Sequence, residues 1–272
     1  MKFIRENHSI SHSRVISEKI LDELLNLDFF VYSSHKSGTQ TLVSSLNVSG
    51  VKASHIHALS NVNIKRGSFC HILDYYLLKN NKKMNVISIF RNPFERHISS
   101  FFQWHGTRPL ALKEVKEITE TLIFKSSIGE LQDKFYSELR DQSLIGFSDS
   151  LHEIFQELGI CADDLEFSKD RKYGIYETEV IKLYFLRHDI FFNEFQHLLS
   201  EIAGIKITQD NKNISDNKFY KQKYAEFKKT LSAPNDLIFN VYNSKSDLMK
   251  LFYDDKAESI LSHCYMNFGR GI

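Results

Sequence analysis

Proline is scarce in this chain, with three residues among 272. Because proline breaks helix interiors, its scarcity favours long helices over a loop-rich β-sandwich. Cysteine is equally scarce. Cys70, Cys161 and Cys264 are odd in number, widely spaced and form no C-x-x-C pair, which argues against a disulfide frame or a structural zinc site. Neither sign of charge is in excess, since 35 lysines and arginines face 34 aspartates and glutamates. A chain this close to neutral is a poor general coat for nucleic acid, so any anion site must be local. Long apolar runs are missing too. No stretch reaches the roughly 18 apolar residues of a spanning helix, and the opening MKFIRENHSISHSR lacks the apolar stretch of a signal peptide. These absences predict a reduced, cytoplasmic protein with no transmembrane segment and no nucleic-acid partner.

Core material is plentiful. Hydrophobic residues make up 42% and charged residues 25%, ordinary globular proportions. No internal repeat and no clear linker divides the chain, so residues 1–272 read as a single domain.

Residues 13–28 carry Ile16, Ile20, Leu24 and Leu27 at helical spacing. Phe29 to Tyr32 is too short for a helix and rich in β-formers. A polar turn, Ser33 to Gly38, then leads into a plausible helix from Thr39 to Leu46. Strand, turn and helix make the first half of a βαβ unit. The pattern recurs with a strand over 51–57 and a helix over 68–79, then a strand over 85–90 and a helix over 94–104. Three such units predict a parallel sheet with helices on its faces. Further helices are expected over 111–124, 130–141, 149–158 (with Gly159 as C-cap), 190–203, 219–231 and 235–266, with an interruption at Pro234. Residues 171–187 suggest a β-hairpin, and 208–218 a loop. The expected fold class is α/β, a P-loop-like parallel sheet flanked by helices, with a largely helical C-terminal half.

In such a sheet, ligands sit where strands end and helices begin, and a helix N-terminus suits phosphate or sulfate. Ser34-His35-Lys36-Ser37-Gly38-Thr39-Gln40-Thr41 supplies a compact cation, a glycine for close backbone approach, and several hydroxyl donors. It is not a Walker A loop, because G-x-x-x-x-G-K-[ST] is absent. A solvated βα turn would have a similar composition.

This loop resembles that of the sulfotransferases that use 3′-phosphoadenosine-5′-phosphosulfate (PAPS), where P-K-[ST]-G-T-T follows the first strand. His35 replaces the proline and Gln40 a threonine. The second family signature, R-[DN]-P-x-x-R-x-x-S-x-[FY], is similar position by position to Arg91-Asn92-Pro93-Phe94-Glu95-Arg96-His97-Ile98-Ser99-Ser100-Phe101. The resemblance implies that Lys36, Ser37, Gly38, Thr39, Gln40 and Thr41 hold the 5′-phosphosulfate, and that Arg91 and Ser99 hold the 3′-phosphate. It also implies that Lys36 supports the departing nucleotide. A guanidinium does suit bidentate phosphate contact. Ser54-His55-Ile56-His57 resembles the H-x-H of uronyl-type carbohydrate sulfotransferases, which implies His57, or His55, as catalytic base. The alternative is two partly buried, hydrogen-bonded histidines. Tyr184-Phe185-Leu186-Arg187-His188-Asp189 and Leu251 to Asp255 are loosely similar to bacterial capsular-polysaccharide sulfotransferases. The clear resemblance covers residues 29–104.

The function it implies is transfer of a sulfuryl group from PAPS to a hydroxyl of a glycan, in polysaccharide biosynthesis, without a metal. The rivals are a kinase-like phosphotransferase with a degenerate P-loop and a non-catalytic nucleotide-binding protein of the same fold. Asp189 is a fallback base. Trp104 and His105 could line an acceptor pocket, or belong to the core. Lys212, Lys218, Lys221 and Lys223 could close over a nucleotide, or form a solvated face.

Overall fold

A computed structural model describes residues 23–56, 68–111, 122–141, 150–211 and 218–253. Strand β1 (Phe29–Tyr32) is apolar at every position and buried throughout. So, nearly, are β3 (Met84–Phe90) and β5 (Ile181–Arg187), as expected for strands covered on both faces. With β2 (Ala53–Ile56) and β4 (Tyr173–Glu177) they form one five-stranded sheet of order β2-β1-β3-β5-β4. All neighbours are parallel except β4, which pairs antiparallel with β5 at the edge. The expected hairpin over 171–187 is therefore β4 and β5, with β5 inside the sheet. The α/β class holds.

Residue parity separates two cores. Phe30, Tyr32, Met84, Val86, Phe90, Leu183 and Phe185 face one side; Phe29, Val31, Ile87, Ile89, Tyr184 and Leu186 face the other. The first side is packed by α2 (Ser68–Asn80), α3 (Pro93–Ala111), α5 (Ile128–Arg140), α6 (Ser150–Leu158), α9 (Lys221–Thr230), α10 (Asn235–Asn243) and α11 (Ser246–Tyr253), with the single turn α4 (Leu122–Lys125) beside them. Its centre is aromatic: Phe101, Phe102, Phe135 and Phe227 meet with ring centroids 5.0–6.0 Å apart. Each such ring removed from water is worth roughly 1.5–3 kcal/mol. The second side is covered by α1 (Thr39–Val48), α7 (His188–Asn193) and α8 (Phe195–Ala203).

Several elements differ from expectation. Helix α3 runs past residue 104, and α5 begins earlier, where Ser127 and Glu130 form a reciprocal capping box. The stretch 190–203 is two helices broken at Glu194, and 235–253 breaks again after Asn243. Gly159 adopts the left-handed conformation expected after α6. Residues 13–22, 112–121 and 254–266 of the expected helices, and His57, lie outside the described residues.

Helix α1 crosses from β1 to β2 on one face, and α2 returns from β2 to β3 on the other. The chain thus leaves β1 in one direction across the sheet and reaches β3 in the other. The crevice between the carboxyl ends of β1 and β3 is the switch point of the sheet.

Candidate functional site

Three parallel strands lie side by side, so their carboxyl ends bring together segments distant in sequence: 33–38 after β1, 91–92 after β3, and 188 after β5. The β1 loop is anchored from its first residues. The Ser33 hydroxyl donates to the carbonyl of Ile89 (3.1 Å) and accepts its N–H (3.0 Å), extending the bond to β3. The Ser34 hydroxyl accepts the N–H of Ser150 at 2.9 Å, where α6 begins. Tyr32 donates to the Glu153 carboxylate on the same helix.

Beyond Ser34 the backbone is strained. Lys36 has φ 66° and Gly38 has φ 77°. A left-handed conformation costs a lysine about 1–2 kcal/mol, and only a well-anchored loop holds it. Gly38 stands at the N-cap of α1 and makes no side-chain cap bond. A glycine there brings no side-chain oxygen of its own to the first N–H groups, unlike the serine, threonine or aspartate usual at this position. Ser37 is fully buried, and its hydroxyl has no partner among the described residues. Such an orphan is costly unless something else meets it.

Arg91 reaches this loop from the next strand. One of its terminal nitrogens donates to the Lys36 carbonyl at 2.7 Å, while its buried Nε has no partner among the described residues. Glu95 lies 3.9 Å from the guanidinium and 3.5 Å from the Lys228 ammonium. Burial, then Arg91, then Lys218 lower the Lys36 pKa to about 8. The ammonium is still charged at neutral pH, among cations that an anion would relieve.

Gly38 is required for a second reason besides its left-handed φ. A Cβ there would lie 2.1 Å from Cζ of Phe192, so the Phe192 ring of α7 stands where a side chain would project. His188, at the start of α7, packs on that ring with centroids 4.8 Å apart. Burial, then the Arg91 charge, lower the His188 pKa to about 3, so its ring is neutral. Sequence reasoning quoted His188 only within a weakly similar segment and assigned it no role. The available signal was its place, one residue after an apolar strand.

The other expected residues are scattered over this edge. Thr39 and Thr41 are buried on α1, and Gln40 is exposed. Ser99 is buried on α3, two turns from Arg91. His55 is half-buried on β2 opposite Val31, on the face that carries α1; its neighbour in parity, His57, lies outside the described residues. Asp189 is exposed and accepts from Arg187 Nε at 2.8 Å. His105 bonds Glu138 at 2.7 Å and is ringed by Phe101, so it serves the packing. The basic stretch divides its work. Lys218 adds to the charge at Lys36, Lys223 donates to the carbonyls of Phe124 and Ser126, and Lys212 lies outside the described residues. Among the described residues no three His, Cys, Asp or Glu side chains are grouped to hold a metal, and no helix is long and apolar enough to cross a membrane.

No family model matches the chain, and no curated protein or solved structure matches it either. The site presents a helix start with a glycine N-cap, two cations and an unpartnered hydroxyl at the switch point of a parallel sheet.

Proposed function

We propose that the protein is a sulfotransferase that moves a sulfuryl group from PAPS to a hydroxyl, the acceptor being a glycan. The observation that carries this reading is the uncapped start of α1 beside Lys36 and Arg91, with the Ser37 hydroxyl and Arg91 Nε still unsatisfied. That donor set suits an oxyanion with several acceptor oxygens. The P-loop-like character of the turn belongs to the same proposal.

PAPS supplies the activated sulfuryl group. The sulfur–oxygen bond to the 5′-phosphate breaks as a new one forms to the acceptor oxygen, whose proton passes to a base. Lys36, compact and charged, stabilises the charge gathering on the departing phosphate oxygen. Arg91 and Ser99 hold the 3′-phosphate. His57 or His55 takes the proton, and a neutral imidazole does so near physiological pH.

The test is nucleotide choice. 3′-Phosphoadenosine-5′-phosphate (PAP) should raise the melting temperature well beyond AMP or ATP. Ligand at about 100 times its dissociation constant adds roughly 2.7 kcal/mol. Labelled PAPS should then transfer sulfate to polysaccharide acceptors. Equal shifts from AMP and PAP would remove the role given to Arg91. Preference for ATP would favour the phosphotransferase, and PAP binding without transfer the non-catalytic relative.

A further inference from the structure

The scheme above leaves His188 without a task. The pairing of Phe90 with Arg187 puts Arg91 and His188 one residue beyond the last rung of the β3–β5 ladder, on adjacent strands. The His188 ring is packed on Phe192, and Phe192 covers Gly38. From the other direction, Arg91 is bonded to the Lys36 carbonyl at 2.7 Å. His188 therefore adjoins the same loop that presents the unpartnered Ser37 hydroxyl and the uncapped start of α1.

We propose that His188 is a third, protonatable ligand of this anion site, so that an oxyanion seated against Lys36 and Arg91 is held more tightly once the His188 ring takes up a proton. The inference rests on reading loop 33–41 as an anion site and specifies how that site responds to pH. In the free protein two causes keep the ring neutral: burial and the Arg91 charge. A bound oxyanion offsets the second and gives an imidazolium N–H an acceptor, both of which favour the protonated form.

The groups around His188 do not titrate in the same way. Arg91 is charged throughout, and Lys36, with a pKa of about 8, is charged below neutrality. Lys218 adds a further cation at the loop. The carboxylates nearby are engaged: Glu95 of α3 with Arg91 and Lys228, Asp189 of α7 with Arg187, and Glu194 with Lys172. Among the described residues, His35 of the β1 loop and His55 of β2 are the other imidazoles at this edge, and a His188 variant separates every other imidazole from the effect.

Inorganic sulfate is the probe, because it keeps both charges over the whole range. In protein carrying ¹³C-labelled histidine, the His188 signal is identified by its loss in His188→Gln, with His188→Asn as a second variant. Without sulfate the ring should stay neutral at about pH 5. With saturating sulfate it should titrate about 2–3 units higher than in the free protein. Wild-type affinity for sulfate should rise by about twofold to tenfold between roughly pH 7.5 and pH 5, and stay nearly flat in both variants. Superimposable titrations with sulfate bound, or an equal pH dependence in the variants, overturn the proposal. A PAP arm separates it from the nucleotide reading. Linked sulfate binding without PAP binding upholds His188 and sinks the nucleotide, whereas bound PAP with an unmoved His188 signal sinks His188 alone. Absence of binding by either probe overturns both.

Discussion

The turns after the neighbouring strands β1 and β3 each lead into a helix, yet they end their backbones in opposite ways. After β3, the Asn92 side chain accepts the N–H of Glu95 at 3.1 Å and is held there by the Tyr242 hydroxyl at 2.9 Å. Pro93 then occupies the first turn of α3, where its missing N–H removes nothing. After β1, Gly38 brings no capping side chain, and α1 starts uncapped. A cap and an oxyanion compete for the same donors. The closed turn can lend a ligand only its Arg91 side chain, whereas the strained one offers backbone, hydroxyl and ammonium together. The acidic residues fit this division. Glu95 near the start of α3 favours that helix dipole, but no acidic residue stands in the first turn of α1.

The sharpest test of this contrast is Lys36→Ala. Turnover should fall by about 10²–10³ while PAP affinity falls less, because charge on the departing oxygen gathers only during transfer. Equal losses in both, measured by steady-state kinetics and calorimetry, would reduce the β1 loop to a binding element. Lys36→Arg should not restore the rate, since a planar fork does not replace a compact ammonium.

Arg91→Ala should weaken PAP by about 1.5–3 kcal/mol, the worth of a charge-assisted hydrogen bond, and also lower the melting temperature of the free protein through the lost bond to the Lys36 carbonyl. Wild-type affinity in this variant would take the β3 turn out of the site.

Both turns stand close to a buried neutral histidine, His188 beside the open site and His97 on α3. Burial lowers the His97 pKa well below its usual value, with Arg96 and Lys245 adding to the effect. For each, the unfolded chain with a pKa of about 6.5 binds protons that the folded chain refuses, so stability is full above that pH and declines as pH falls. With a folded pKa of about 3, His188 alone should cost about 2 kcal/mol between pH 7 and pH 5, read from urea unfolding at both. His188→Gln should remove that part of the loss and leave the His97 part. An unchanged loss would show that the ring is open to solvent.

The smallest effect is expected at the closed turn. Asn92→Ala should cost about 1 kcal/mol of stability through the lost cap, with PAP affinity essentially unchanged. If affinity falls in step with stability, the two turns are not separable and the contrast fails.

Much of the fold was legible because local signals agreed. The all-apolar Phe29 to Tyr32 reads as a buried strand and Gly159 as a helix end. The breaks after Asn193 and Asn243 were not legible, because the apolar spacing continues across them and the packing decides where each helix ends. Of the site, Lys36, Ser37 and Arg91 were legible by residue type after an apolar strand. The packing of Phe192 against Gly38 was not, since nothing in Lys36 to Thr41 announces a phenylalanine from residue 192.

By itself the sequence determined which segments are strands, which are helices, and that a lysine turn and an arginine turn each follow a strand. It did so because apolar periodicity and helix-start residues act within a few positions of one another. The tertiary structure decided the rest. Placing β3 between β1 and β5 brought Arg91 onto the Lys36 carbonyl, set His188 beside Arg91, and laid Phe192 on Gly38. The neutral His188 and the lowered Lys36 also arise there, because burial and the charge of a neighbouring strand's residue act through space and leave no mark on local sequence.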